Sequence, residues 1–391
     1  MIMKRQLNQL LSFTKRNYEI RNYANIFKAN DVIDKSERSK RELPEMKNVL
    51  FGHLYSDNML TIDWSKKNGW EKPIIHPMRP LQLHPGSKVF HYAPECFEGF
   101  KAYYQKSKGS ISLFRPNLNV ARFKESGERV CLPSFDDKEL LKCIMKLIKI
   151  EKRWVPKEKK SSLYIRPTLI GTDQTLGINV SNNAKLYVIM CPVSAYYPTG
   201  FDPISLYADT FNVRAWKGGS GGFKIGANYA SSVLPSYVAT TKHNCQQILW
   251  LYGVDRQLTE VGTMNLFVYW INEEGEKELI TPDIKDGIIL PGIIRKSILE
   301  MTKRWKKFKV SEKNINMNQI IKALNENRIF EMFGSGTACV VSPIKKIKYE
   351  NSDLTIPLNI KEALFRKIES QLFDIQYGNV KSDWNVHVCG A

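Results

Sequence analysis

The sequence predicts a mixed α/β protein of the α+β kind, organised as two domains. Three observations carry this expectation. The chain has 391 residues, enough for two hydrophobic cores. Apolar runs of strand length occur among segments whose apolar residues recur at helical spacing. A Pro-, Gly- and Asp-rich break at Tyr196–Pro203 (YYPTGFDP) separates two halves that carry both patterns. The expected plan is a basic N-terminal segment over 1–40, a smaller domain over 41–195, a linker over 196–205 and a larger domain over 206–391.

In the first half, Ile111–Phe114, Leu163–Ile170 and Lys185–Val193 read as strands, each beside turn residues. Lys138–Trp154 places Leu140, Leu141, Ile144, Leu147 and Ile148 on one helical face. Beyond the linker, a helix is expected over Tyr229–Lys242. Pro235 lies inside it, where a helix interior would lose about 3 kcal/mol. Gln246–Tyr252 and Met264–Ile271 read as strands, the second turning at Asn272–Gly275 into another that ends near Ile280. Helices follow at Gly292–Trp305 and Asn316–Asn327, then a strand pair around Val340–Tyr349 and a helix at Ile360–Tyr377.

Composition narrows the function classes. No run of eighteen apolar residues exists, so no membrane span is expected. Seven cysteines occur without a C-x-x-C pair or a His cluster, which argues against a disulfide framework and a zinc site. The formal charge of +19 raises nucleic acid as a partner, but the lysines fall in short clusters without interleaved aromatics, so none is expected. The first 28 residues hold six Lys and Arg against the single acid Glu19, with Leu7, Leu10, Leu11 and Phe13 between them. That composition fits a mitochondrial transit peptide and equally a basic tail on a cytosolic protein.

Candidate chemistry clusters in the second half. In Gly218–Ser231 (GGSGGFKIGANYAS), Lys224 follows four glycines in five positions. A lysine on such a turn suits either a phosphate contact or a Schiff base with a carbonyl cofactor. Tyr229 follows five residues later. Glu260 enters an apolar strand, where a carboxylate needs a cation or a hydrogen bond to stay charged. At Leu290–Arg295 a strand end passes into a helix, and the N–H groups of Gly292, Ile293 and Ile294 suit an anion. Phe333–Ala338 (FGSGTA) is a second candidate anion nest. A lysine, a phenol, a carboxylate and two anion-binding turns are the groups that pyridoxal phosphate requires.

From about Val49 to Gly378 the chain resembles the branched-chain amino acid aminotransferases, of the fold type IV pyridoxal-phosphate enzymes, and more their eukaryotic members. The likeness runs in order through LHPGSKVFHYAPECFEGFKAY, LFRPNLNVARF, SLYIRPTLIG, FKIGANYASSV, QLTEVGTMNLFVYWIN, DGIILPGIIR and FEMFGSGTACVVSP. The resemblance implies a homodimer that exchanges an amino group between L-leucine, L-isoleucine or L-valine and 2-oxoglutarate, with the active site between the two domains. It implies that Lys224 carries the Schiff base and the proton, that Tyr229 bonds the cofactor's phenolic oxygen and that Glu260 bonds its ring nitrogen. Arg122, the N–H groups of Ile293 and Ile294, and Thr337 would hold the phosphate. Thr337 and Ala338 would receive the substrate's α-carboxylate. Phe51, Phe97, Tyr164, Tyr196, Thr263 and Met264 would line the side-chain pocket, with Arg166 taking the second carboxylate of 2-oxoglutarate. Tyr92, Leu176 and Ile178 would complete the pocket of the neighbouring subunit. Vertebrate members carry a C-x-x-C pair after the G-S-G-T-A loop; here the positions are Cys339 and Ser342, so a disulfide switch between them is not expected. D-amino-acid aminotransferase and aminodeoxychorismate lyase share the fold and the lysine, and are the rival readings.

Overall fold

The computed structural model describes residues 26–194, 202–358 and 363–391. The first half supplies strands β1 (Ile33–Asp34), β2 (Asn58–Ser65), β3 (Gly69–Trp70), β4 (Ile74–Pro77), β5 (Glu95–Phe97), β6 (Phe100–Gln105), β7 (Ser110–Phe114), β8 (Ser162–Gly171) and β9 (Asn183–Val193). Helices α1 (Lys88–Tyr92), α2 (Pro116–Arg129) and α3 (Asp137–Ile150) lie between them. The second half supplies β10 (Ile204–Asp209), α4 (Ala227–Ala230), α5 (Val233–His243), β11 (Gln247–Tyr252), β12 (Gln257–Val261), β13 (Met264–Ile271) and β14 (Lys277–Thr281). It continues through α6 (Ile293–Trp305), β15 (Lys309–Glu312), α7 (Met317–Asn325), β16 (Ile329–Gly336), β17 (Val340–Tyr349), β18 (Ser352–Thr355), α8 (Leu364–Gln376) and β19 (Asn385–Gly390).

Two sheets result. The first runs β1-β4-β2-β9-β8-β6-β7-β19, with β3 beside β2 and β5 beside β8. The second runs β12-β11-β10-β17-β16-β13-β14-β15, with β18 beside β17. Because β12 also pairs with β13, the strands β12, β11, β10, β17, β16 and β13 close into a ring. Closure satisfies backbone donors and acceptors that an open edge would leave unpaired. The last strand, β19, returns to the first sheet and pairs antiparallel with β7, so 385–390 belong by pairing with the N-terminal half.

Local sequence explains the best-defined elements. Asp136 caps α3 by accepting the N–H groups of Lys138 and Glu139, and Leu140, Cys143, Ile144, Leu147 and Ile148 are buried beneath the helix. Burial of each such aliphatic side chain is worth about 1.5–3 kcal/mol. The helix ends at Ile150 and only a 3₁₀ turn reaches Trp154, four residues short of the sequence expectation. Asn316 and Gln319 form a reciprocal capping box at the start of α7. In the β13–β14 hairpin, Asn272 Oδ1 accepts the N–H groups of Glu274 and Glu276, and Gly275 takes the required positive φ.

Three expectations are corrected. The single helix over Tyr229–Lys242 is two, α4 and α5, with a break at 231–232. Pro235 therefore lies in the first turn of α5, where its missing N–H would have had no carbonyl within the helix, and no kink is needed. Glu260 lies inside a strand, β12, and not at the entrance of the next one. Gly334, Ser335 and Gly336 belong to strand β16, so the expected nest shrinks to the turn Thr337–Cys339. The expected last helix begins at Leu364; Ile360 lies outside the described residues, as do most of the linker and residues 1–25.

Candidate active site

Lys224 lies between β10 and α4 of the second half and is held against the first sheet. Its carbonyl accepts the N–H of Phe97 on β5 at 3.1 Å, and its own N–H donates to Ser126 Oγ on α2 at 2.9 Å. Ile225 bridges to Cys96 next to it. One backbone and one side-chain group of the first half thus fix the backbone of a lysine supplied by the second. Its Nζ lies 3.3 Å from the Tyr229 hydroxyl, and 4.7 Å from the centre of the Phe97 ring. Among the described residues no carboxylate lies within ion-pair distance of it, so the amine faces aromatic surface and open space.

The ring-nitrogen wall comes from strand register. Glu260 on β12 stands opposite Asn265 on β13, and Asn265 stands opposite Ser335 on β16. Residues directly opposite in an antiparallel pair share a face. The row faces one cavity of about 300 Å³, a size suited to a small-molecule site. Glu260 is 2% exposed, and burial pushes its carboxyl above the ordinary range. Arg214 opposes that shift from 2.5 Å, joined by the N–H of Leu290 at 3.0 Å; the Asn265 amide also donates to this carboxylate, at 3.2 Å. Arg214 also donates to the carbonyls of Gly221 and Ile288. That bond defines the glycine run. A Cβ on Gly221 would lie 2.8 Å from the Ile288 carbonyl and 2.4 Å from Ala215, so the run is close-packed at Gly221, exposed at Gly218 and Gly219, and lines no part of the cavity.

Arg122, on α2, forms a two-pronged pair with Glu98 at 2.6 and 2.9 Å and donates to the Pro291 carbonyl at 3.0 Å. Three of its N–H groups are thereby used, leaving two of the five a guanidinium carries. Next to Pro291, α6 begins at Ile293 behind the N-cap Gly292, and its first N–H groups have no carbonyl within the helix to accept them. On the opposite wall, Tyr164 and Arg166 alternate along β8 onto one face, and Arg166 Nη2 donates to the Tyr164 hydroxyl at 3.0 Å. The guanidinium stacks on Phe97 at 4.6 Å, and Phe51 meets Tyr164 edge-on. Gly99 admits the phenol: a Cβ there would lie 1.9 Å from the Tyr164 oxygen.

Fourteen of the expected residues line this cavity: Phe51, Phe97, Arg122, Tyr164, Arg166, Lys224, Tyr229, Glu260, Thr263, Met264, Ile293, Ile294, Thr337 and Ala338. Tyr92, Leu176 and Ile178 do not. They are exposed, at 42%, 67% and 83%, with the Tyr92 hydroxyl donating to the Leu176 carbonyl. Tyr196 lies outside the described residues. The sequence reading missed Glu98, Arg214, Asn265 and Ser335. Glu98, beside Phe97 in FEGF, Asn265, close after Glu260, and Ser335, within FGSGTA, carried a local signal; Arg214 did not. The Cys339 thiol, 3.1 Å from the Met264 sulfur, is pushed by burial up to about 12 and stays protonated near neutrality.

The donors suit a phosphorylated, carbonyl-bearing ring. Arg166 Nε and Ser335 Oγ are buried at the cavity without a partner, free N–H groups open α6, and one amine stands clear of any acid. Among the described residues no group of three or more His, Cys, Asp or Glu is placed to hold a metal, and no helix is long and apolar enough to cross a membrane.

Comparison with known proteins agrees with this geometry. The amino-transferase class IV family model matches residues 95–347. The cytosolic branched-chain-amino-acid aminotransferase of Ovis aries is 50% identical over 364 residues, covering 93% of this chain and 94% of that protein. The mitochondrial one of Rattus norvegicus is 46% identical over 365 residues, covering 93% and 92%. The branched-chain amino acid aminotransferase of Thermobaculum terrenum, solved in its PLP form, superposes with a TM-score of 0.67 at 18% identity over 85% of this chain and 99% of that one. This chain belongs to the class IV aminotransferases, and among them to the branched-chain-amino-acid aminotransferases.

Proposed function

We propose that the protein is a pyridoxal-phosphate-dependent transaminase. It exchanges the amino group between L-leucine, L-isoleucine or L-valine and 2-oxoglutarate in two half-reactions, giving branched-chain 2-oxo acids and L-glutamate. The observation that carries this reading is the Lys224 amine, 3.3 Å from the Tyr229 hydroxyl, in the cavity walled by Glu260, Asn265 and Ser335. When bound, pyridoxal phosphate supplies a ring that takes up the electron pair released at the substrate's Cα.

This chain's residues do the rest. Lys224 would hold the cofactor through its carbonyl, and its amine is the group placed to take and return the substrate's Cα proton. Tyr229 donates to the phenolic oxygen. Glu260, paired with Arg214 and bonded by Asn265, would hold a proton on the ring nitrogen. Arg122, the N–H groups of Ile293 and Ile294, and Thr337 hold the phosphate. The backbone of Thr337 and Ala338 holds the α-carboxylate. Phe51, Phe97, Tyr164, Thr263 and Met264 form the apolar wall that branched side chains fill, at about 25 cal/mol per Å² buried. Arg166, with the Tyr164 hydroxyl, takes the second carboxylate of 2-oxoglutarate, so one pocket serves both substrates.

We infer a homodimer in which exposed Tyr92, Leu176 and Ile178 close the partner's pocket. Phe90 and Val180, 60% and 58% exposed beside them, support an apolar contact there. We read the chain as a smaller domain up to about residue 195 and a larger one from 206, with β19 the exception in the first sheet. For the compartment we favour mitochondria, on the basic residues 1–28; relatives carry both cytosolic and mitochondrial names. A fluorescent protein fused behind residues 1–40 is expected to accumulate in mitochondria, and uniform cytosolic signal would overturn that.

The functional test is a substrate panel. The purified protein is expected to be yellow and to transaminate L-leucine with 2-oxoglutarate, leaving D-alanine and aminodeoxychorismate untouched. A colourless protein, or one active on D-alanine and not on L-leucine, would sink the reading.

A further inference from the structure

We propose that Lys101 is a positioning residue for the substrate's α-carboxylate: it anchors the Thr337–Cys339 turn to the first sheet and places a buried positive charge behind it. The proposal rests on the transaminase reading above and adds to it a residue outside the cavity lining.

Strand register sets the direction of the side chain. Lys101 on β6 stands opposite Tyr164 on β8, and Tyr164 stands opposite Cys191 on β9. The three therefore leave the sheet on one face, the face on which Tyr164 walls the cavity. From there the Lys101 amine crosses to the second sheet and donates to the Ala338 carbonyl at 2.7 Å, linking residues 237 apart in sequence. Fixing that carbonyl fixes the peptide between Ala338 and Cys339, and with it one end of the turn whose Thr337 and Ala338 line the cavity. The turn needs an outside hold. Val340, which follows it, has a φ of 63°, a left-handed conformation costly for a β-branched residue.

The charge has no counter-ion. Lys101 is 6% exposed, and among the described residues no carboxylate lies within ion-pair distance of it. A buried cation without a partner is costly unless an anion arrives to share the site. The groups that face it are Tyr164 and Cys191 on the two strands and Cys339 of the turn. Arg166 lies beyond Cys191, and Glu369 of α8 acts on Cys339. Burial lowers the ammonium to about 8, whereas the two thiols are pushed up to about 11 and about 12. Lys101 is thus the member of this group that changes charge just above neutrality. The sign follows directly: as pH rises through about 8 the charge behind the turn is lost, and carboxylate binding weakens.

Two measurements test this. In Lys101→Met, the KM for L-leucine and for 2-oxoglutarate should both rise about tenfold or more, because both share the α-carboxylate, with the visible spectrum of the bound cofactor unchanged. Lys101→Arg keeps the donor and the charge, so its KM values should stay near wild type. Inhibition by 4-methylpentanoate, a carboxylate without an amine, should weaken through about pH 8 in wild type and lose that step in Lys101→Arg, since arginine does not titrate there. Unchanged KM values in Lys101→Met, or the same pH profile in wild type and Lys101→Arg, would overturn the proposal. If Lys101→Met does not fold, the Lys101→Arg profile decides. A wild-type enzyme that fails to transaminate L-leucine would instead overturn the functional reading, before either variant is compared.

Discussion

Lys224→Ala is expected to lose turnover and the visible cofactor absorbance together while remaining folded. The side chain has two chemical tasks in the proposed reaction, a covalent bond to the cofactor and transfer of the Cα proton. Loss of a positioned acid–base group alone costs about 10²–10⁴-fold in rate, and among the described residues no other lysine lines the cavity to replace it. Stability should change little, because the bonds that pin this segment are made by the backbone. Phe97 still donates to the carbonyl of residue 224, and Ser126 still accepts its N–H. The side chain leaves behind one hydrogen bond, to the Tyr229 hydroxyl, and the aromatic contacts with Phe97 and Tyr229. Steady-state assay with L-leucine, absorbance spectra and a thermal melt check all three parts. Turnover within tenfold of wild type would remove Lys224 from the mechanism.

Glu260→Ala should retain part of the cofactor and lose on the order of 10²–10³-fold in rate, the usual cost of removing one aligned electrostatic partner. Unlike Lys224, this residue also carries structure. Its removal strands the Arg214 guanidinium, whose side chain is 5% exposed, together with the Leu290 N–H and the Asn265 amide. Breaking one side of a buried pair costs about 3–5 kcal/mol, so a lower melting temperature accompanies the loss of rate. Glu260→Gln separates the two effects. It keeps an acceptor for Leu290 and much of the packing, yet cannot hold a proton on the ring nitrogen, so its rate should fall with the alanine variant while its stability recovers in part. Cofactor titration and kcat/KM measured on both variants decide this, and full activity in Glu260→Gln would contradict the assigned role.

These two residues were legible for different reasons. Lys224 and Tyr229 are five positions apart, and Glu260 and Asn265 flank a tight hairpin, so local sequence already brings each pair together. The helix start at Ile293 was equally visible, because a strand end, a Pro-Gly pair and an apolar helical face lie in one short stretch. Arg122 was placed correctly in the cavity, but its pairing with Glu98 was not foreseen. That bond depends on how α2 packs on the first sheet.

Misreadings came where a local rule met a boundary set elsewhere. Pro235 looked like a helix breaker because the break at 231–232 has no strong sequence signal; once the helix starts at Val233, proline is acceptable. Gly334–Gly336 looked like a loop because glycine and serine are poor strand formers. Pairing with β13 on one side and β17 on the other overrides that preference.

By itself the sequence determined the alternation of elements, the lysine, tyrosine and carboxylate that meet in one cavity, and the family to which the chain belongs. These depend on short-range spacing and on the order of motifs, both written directly into the chain. The tertiary structure alone decided which charges stand paired and which stand free. Arg214 meets Glu260 across 46 residues, and Lys101 reaches Ala338 across 237. The physical reason is that a buried charge takes its properties from whatever packs within a few ångströms of it, and sheet register, not sequence distance, selects those neighbours.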